Sequence, residues 1–382
     1  MSKLKKGLTH LGRYHLLLAE AQGRGIHYGK LSNFASMYPG MRVLTNYYRG
    51  FQCICRKAMM VQVYLLVSSL KQTTPPSTPL TPSPPPYSHC TRQTLRDYYV
   101  NKLKSEDTST WFIPETFALY PARREECERE ALYTRVEAAE AATPGQNYWI
   151  LKPSDGLKGN RIVVVNGLQD VKAHCESLSA DSVAWVASRY LHNPALVVGR
   201  RKFDVRCWVL LDKDYNMYMH KEGVLRTAAS AYSMDDLSDT FTHLSNHCIA
   251  EKHPDFGKYE PTNELWFGQY DAYLRETSDG TLGFYEHYLP QIKNVVAHTL
   301  EAGRAAMCPD PSMQNFDAFE LFGFDIAITD DHKVPLEINN LHQYFPLPPA
   351  FPLVITILTL TPLLTRPHDH SDHTGLPHRG EQ

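Results

Sequence analysis

The chain has 382 residues, with 39 Lys+Arg against 41 Asp+Glu, a net charge of −2, 43% hydrophobic and 11% aromatic residues. This is the profile of a soluble globular protein long enough for two or three subdomains. It excludes a general attraction to nucleic acid or a membrane surface, so any charged partner must be met by a local patch.

Residues 10–22 carry Leu11, Tyr14, Leu18 and Ala21 at helical spacing, which predicts a short helix. The eight cysteines are scattered, only Cys53 and Cys55 lie close, and no second pair completes a zinc set. Reduced thiols of a cytosolic protein are the expectation. Lys3, Lys5 and Lys6 precede a segment broken by His, Arg and Gly, which is not the form of a secretory leader. From Val43 a buried strand is expected to lead into a basic turn, with Lys57 either meeting an anion or lying on the surface. Residues 59–70 are apolar, and 73–88 hold prolines at a density that forbids helix or inner strand. That stretch reads as an extended insertion, or as a ligand for a proline-binding module. Order resumes at Thr110-Trp111-Phe112. Arg123 to Ala142 predicts an exposed helix with i,i+4 charge pairs, closed by Thr143-Pro144-Gly145.

Tyr148 to Val165 reads as strand, small-residue loop, strand. Gly156 and Gly159 allow a tight turn with exposed amides, and Lys152 and Lys158 flank it with positive charge, which suits polyphosphate. It is not a P-loop, because no Lys-Ser/Thr follows the glycines; a plain glycine hairpin is the other reading. Residues 183–191 form an apolar strand that either offers its backbone to an adenine edge or serves as core. In Arg200–Leu211, Lys202, Asp204 and Arg206 alternate with Phe203, Val205 and Cys207. Three charges on one strand face are costly unless they meet ligand charges or one another. Tyr218 to Leu225 is expected to return as one strand and to deliver Glu222 and Arg226.

The stretch from Phe319 to Asn340 predicts a hairpin. Phe322, Phe324, Ile326 and Ile328 share one face, with Gly323, Asp325 and Ala327 on the other. Thr329 to His332 is turn material, and Val334 to Ile338 returns as a strand with Glu337 and Asn339 on one face. A turn that sets Thr329 against Lys333 sets Asp325 against Glu337. Two carboxylates and an amide oxygen then suit Mg²⁺; otherwise the acidic face is simply wet.

Taken together, the strand-loop-strand around Lys152, the Arg200–Arg206 run, Glu222–Thr227 and Phe322–Asp325 resemble the tubulin–tyrosine ligase family of the ATP-grasp superfamily. Asn46–Gly50, Cys55–Ala58, Thr110–Phe112, His243–His247 and Phe256–Glu260 extend the resemblance in order, toward its tubulin-tyrosinating branch. The resemblance implies an α+β ATP-grasp fold with the nucleotide held between two β-sheets. The divisions it suggests are an incomplete N-terminal subdomain (1–62), a proline-rich insertion (63–104), a central subdomain (105–191), a catalytic subdomain (192–340) and an atypical C-terminal tail (341–382). It implies Lys57, Lys152, Lys158 and Lys202 on the ATP phosphates, with Ser188, Arg189, Tyr190 and Leu191 along the adenine. Asp325, Glu337 and Asn339 would hold Mg²⁺, with K⁺ as an optional auxiliary ion. Arg206 and Arg226 would bind carboxylates of the peptide tail or of free tyrosine, with Asp204 and Lys202 beside them. The implied reaction adds tyrosine to the C-terminal glutamate of detyrosinated α-tubulin through an acyl phosphate, performed by a monomer in the cytoplasm on the cytoskeleton. A glutamate or glycine ligase of the same family, and an inactive tubulin-binding protein, are the alternatives.

The chain departs from the family pattern at several points, among them the following. The proline-rich insertion has no counterpart, and Ser188-Arg189 stands where the family has Gln-Lys. The Asp325–Glu337 interval is one residue shorter, and Pro335 replaces apolar strand sequence. A one-residue change flips side chains unless the turn changes with it, and Pro removes a ladder donor.

Overall fold

The computed structural model describes residues 16–17, 44–45, 48, 51, 55, 57, 113–120, 127–156, 158–179, 182–307, 316–336 and 360–362. The proline-rich stretch, Glu337, Asn339 and most of the tail lie outside them.

In chain order the strands and helices are β1 (Leu16–Leu17), β2 (Leu44–Thr45), β3 (Thr116–Leu119), α1 (Arg129–Ala142), β4 (Tyr148–Pro153), β5 (Val163–Asn166), α2 (Gly167–Ser177) and β6 (Trp185–Arg189). They continue as β7 (Leu196–Val197), β8 (Arg201–Leu211), β9 (Met217–His220), β10 (Val224–Thr227), α3 (Thr240–His243) and α4 (His247–Ala250). The last are β11 (Glu264–Trp266), α5 (Phe267–Thr277), α6 (Leu289–Met307), β12 (Asp317–Ala318), β13 (Glu320–Ile326) and β14 (Leu360–Pro362).

A small sheet runs β1-β2-β12, all parallel. Of the helix expected over 10–22 only Leu16 and Leu17 lie among the described residues, and these pair with Leu44 and Thr45 as a strand instead. A short apolar run does not tell strand from helix by periodicity, and here the partner strand decides.

The second sheet is antiparallel in the order β3-β6-β4-β5. Its Trp149, Leu151, Trp185 and Ala187 pack against Leu132 and Val136 of α1 and Val171 and Cys175 of α2. Leu132, Val136 and Ala139 are the buried stripe of α1. The helix closes as expected, with Thr143 donating to Ala139 and Gly145 at φ +77°. Its Arg135 reaches back to Glu115 at 2.7 Å. The opposite sheet face carries Lys152 across from Val186 and Thr116 across from Ser188.

The third sheet is built on β8, which is 11 residues long. One edge pairs with β13 from Val205 to Leu211, the other with β10 and then β9. The single strand expected over 218–225 is thus two, lying end to end with a two-residue slip in register. Gly223 marks the break: a Cβ there would stand 2.2 Å from Phe267 Cζ and 2.6 Å from the Arg206 carbonyl. Beneath this sheet Phe203 meets Tyr270 at 5.2 Å and Phe267 meets Phe284 at 4.5 Å. Ile292, Val295, Val296 and Leu300 of α6 complete the floor at helical spacing. Among the described residues no helix is long and apolar enough to cross a membrane.

The expected hairpin turns where the sequence places it. Thr329 donates its N–H to Lys333 and Ala327 to Pro335, both at 3.0 Å, and Ile326 bridges Leu336. Pro335 accepts from Ala327 through its carbonyl but cannot return the second hydrogen bond of that pair, so its missing N–H costs the ladder one donor.

Candidate functional site

Strand alternation on β8 sends Phe203, Val205 and Cys207 into the floor and Lys202, Asp204 and Arg206 to the other face. Cross-strand register then supplies their partners. Asp204 stands opposite Arg226, and Arg206 opposite Asp325. Arg206 Nε donates to Asp325 Oδ1 at 2.5 Å. Arg226 spans both acids, reaching the same Asp325 oxygen at 2.9 Å and Asp204 through Nε at 3.1 and 3.2 Å and through a short Nη2 contact. Asp325, the described acid of that face, is therefore not wet: its side chain is 4% exposed, against 14% for Arg206.

Two arginines and two aspartates cancel in charge. Taking each ion out of water nevertheless costs several kcal/mol, and such clusters seldom add net stability. Their value lies in a fixed, preorganised arrangement of charge. Behind them the Cys207 thiol is pushed up to about 12 by burial, with Asp325 adding to the effect, so it stays an inert core side chain.

The glycine loop lies beside this cluster. Lys57 is 3% exposed and donates to the carbonyls of Pro153 at 3.0 Å and Gly156 at 2.9 Å, so its charge props the loop from below. Gly159 has φ +74°, and a Cβ there would lie 2.5 Å from Ile249 Cδ1 and 2.9 Å from Asn246 Oδ1. Lys158, at φ +59°, is exposed, and its carbonyl accepts from Cys248 Sγ at 3.4 Å. Lys152 is 2% exposed on β4.

The residues assigned to the adenine side divide. Tyr190 meets Lys202, whose Nζ lies 3.2 Å from the Tyr190 hydroxyl and 4.6 Å from its ring centroid. Ser188 and Arg189 point to other partners. Ser188 Oγ accepts from Thr116 at 2.9 Å, and Arg189 donates to Asn147 Oδ1 at 2.6 Å and lies over the Trp149 ring. The backbone N–H groups of Arg189 and Tyr190 are used as well, donating to the carbonyls of Glu115 and Tyr148. Burial lowers the Arg189 pKa. Leu191 is half-buried just beyond.

The block His243–His247 supports the family resemblance in sequence but carries no role there. In the structure Ser245 donates to Asp204 in a short contact, and the His243 carbonyl accepts from Lys202 at 3.2 Å. The legible signal is Asp239, an N-cap whose carboxylate accepts from the Phe241 N–H at 2.9 Å and the Thr242 hydroxyl at 2.6 Å. That cap starts α3 and fixes where His243 must fall.

Of the oxygen set expected for Mg²⁺, Asp325 is among the described residues and Glu337 and Asn339 are not. Among the described residues no group of three or more His, Cys, Asp or Glu is placed to hold a metal ion. The donor chemistry of Asp325, a carboxylate oxygen on a rigid strand, fits a hard cation.

A profile of the tubulin-tyrosine ligase family matches residues 71–342. The chain belongs to this family. Tubulin glycylase 3D of Tetrahymena thermophila is 32% identical over 201 residues, which are 51% of this chain and 18% of that protein. Probable tubulin polyglutamylase ttll-9 of Caenorhabditis elegans is 30% identical over 202 residues, 51% of this chain and 46% of that one. Protein monoglycylase TTLL8 of Homo sapiens is 28% identical over 216 residues, 54% and 24% of the two chains. The chain thus spans less than half the length of these family relatives. Their names refer to glycine and glutamate, where the sequence resemblance ran toward tyrosine.

Proposed function

We propose that this chain is an ATP- and Mg²⁺-dependent ligase that joins an amino acid to a carboxylate of tubulin, with glycine or glutamate as the amino acid. The observation that carries the reading is the Asp204–Arg226–Asp325–Arg206 cluster, set beside Lys202 and the Lys57-propped glycine loop. Relatives named glycylase and polyglutamylase favour the choice of amino acid.

In this reading Lys152, Lys158 and Lys202 neutralise the phosphates, and Lys57 shapes the loop over them. A substrate carboxylate oxygen attacks the γ-phosphorus and ADP leaves, giving an acyl phosphate. The amine of the incoming amino acid then attacks the acyl carbon, phosphate leaves, and the amine loses a proton. Arg206 and Arg226 have the planar fork that holds carboxylates bidentately, and they bring two anions together that would otherwise repel. Asp204 and Asp325 hold those guanidinium groups in place before substrate arrives. Mg²⁺ bound by Asp325, Glu337 and Asn339 would offset charge on the transferring phosphoryl group.

Tyrosine remains the second reading, favoured by the Arg200–Arg206 run and the Asn46–Gly50 and His243–His247 blocks. The test incubates the full chain with ATP, Mg²⁺ and tubulin, supplying labelled glycine, glutamate or tyrosine in separate reactions. Glycine or glutamate entering tubulin supports the proposal. Tyrosine alone entering transfers it to the second reading. Tubulin binding with no incorporation of any of the three would leave an inactive tubulin-binding protein.

A further inference from the structure

A buried hydrogen-bond relay ends on Lys202. Tyr190 and His243 are 3% and 2% exposed. The Tyr190 hydroxyl lies 2.9 Å from His243 Nδ1, and His243 Nε2 lies 3.0 Å from the Asp236 carbonyl. An ammonium group only donates, and a backbone carbonyl only accepts. Lys202 therefore donates to the Tyr190 oxygen, the Tyr190 proton goes to His243 Nδ1, and His243 Nε2–H goes to Asp236. The carbonyl of Asp236 calls for a proton on Nε2, and the neutral ring then presents a bare Nδ1 to accept the Tyr190 proton. A proton on Nδ1 would aim a second donor at the oxygen that already serves Lys202.

The surroundings favour the neutral ring. His243 is faced by Tyr190 and Lys202, by Tyr232 edge-on at 5.8 Å, by Asp236 through its carbonyl, and by Asp239 at the start of α3. The Tyr232 hydroxyl donates to the His192 carbonyl at 3.0 Å. Burial, the largest influence, lowers the His243 pKa, and Lys202 lowers it further. The backbone contact with Asp236 and the charges of Asp239 and Asp236 oppose this without reversing it.

We infer that His243 is a positioning residue: acting through the Tyr190 hydroxyl, it fixes the Lys202 ammonium for the nucleotide, and protonation of its Nδ1 releases that ammonium. The inference rests on the reading of Lys202 as a nucleotide-binding cation. It assigns a role in phosphate binding to a side chain that does not itself reach the cluster of arginines and aspartates.

Binding of ATP with Mg²⁺ to the full chain, measured by calorimetry from pH 8.0 to 5.5, tests it. Variant-to-wild-type ratios cancel the titration of ATP itself. Tyr190→Phe keeps the ring over Lys202 but removes the hydroxyl, and is expected to weaken binding about tenfold at pH 7.5 and to flatten the acid loss. His243→Asn offers an oxygen where Nδ1 stood and cannot titrate. It is expected to bind near the wild-type level at pH 7.5 and to keep that affinity down to pH 5.5. Lys202→Ala separates the two levels of the argument. If it abolishes binding while Tyr190→Phe and His243→Asn bind and titrate like the wild type, the relay is overturned and the nucleotide reading stands. If Lys202→Ala binds ATP as the wild type does, the nucleotide reading falls and takes the relay with it. Should His243→Asn be too unstable to isolate, Tyr190→Phe alone decides.

Discussion

Buried charge is where single side chains matter most in this molecule. Arg201 has the parity of the apolar residues on β8, so alternation places it among them, and its side chain is 1% exposed. It survives there because Glu260 lies 2.7 Å away, Thr227 Oγ1 accepts from it at 2.9 Å, and the Tyr259 ring covers it at 4.3 Å. Removing one member leaves the other as a lone buried ion, which costs about 3–5 kcal/mol. Glu260→Ala is thus expected to lose that much stability, read as a lower urea midpoint at unchanged slope. The pH dependence of folding has its own residues. His174 and His243 both have pKa values lowered chiefly by burial. The unfolded chain then binds protons more readily than the folded one. Their contribution is complete above the ordinary histidine value and is lost as pH falls through the lowered folded-state values. Replacing both by residues that do not titrate should flatten the stability profile on that acid side, as urea titrations at stepped pH would show. Cys207 faces inward as its parity on the strand requires, whereas the contacts of Ser188 with Thr116 and of Arg189 with Asn147 do not follow from parity. The sequence carries strand parity, but not which cross-strand neighbour a side chain will find.

At the level of elements, local pattern is informative wherever partner strands merely confirm it. The strands around the glycine loop, the long β8 strand and the hairpin turn at Thr329–His332 all lie where periodicity and turn residues put them. The misses come from long-range pairing: β1 replaces an expected helix, and the strand over 218–225 splits at Gly223. Gly223→Ala tests the reason for the split. The Arg206 carbonyl, at 2.6 Å from the added atom, is backbone and cannot swing aside, so a loss of about 1–3 kcal/mol is expected. Gly159→Ala strains the loop instead, through its φ of +74° and the approach of Ile249. It should weaken Mg²⁺-ATP binding in calorimetry while leaving the thermal midpoint of the unliganded chain less affected than Gly223→Ala does. On β13, Asp325→Asn weakens the hold on Arg206 and Arg226 together and alters the one described oxygen donor of the proposed Mg²⁺ set. Incorporation of label into tubulin should then cease, and Arg206→Ala should do the same; full activity in either variant would remove the cluster from the mechanism.

Across the whole molecule, the face of the second sheet that bears Lys152 and the face of β8 that bears Lys202 are joined through Tyr190. A ligand bridging both faces stabilises the folded chain by RT ln(1 + [L]/Kd), roughly 2.7 kcal/mol at a hundredfold excess over Kd. Saturating ATP with Mg²⁺ should raise the thermal midpoint, and a chelator should cancel most of the gain. This architecture is legible only through collinear blocks spread along the chain, because no single motif states which sheets will face each other. The amino acid to be transferred is not legible at all, since that choice rests on the shape of a pocket rather than on charge or spacing. The small parallel sheet, meanwhile, ties the front of the chain to β12. Nearby, the Tyr48 N–H reaches the Glu320 carboxylate at 3.0 Å across 272 residues. A ribosome adding roughly 5–20 residues per second needs on the order of 10–50 s to deliver that partner. Through that interval β2 waits without β12, its partner in the small sheet.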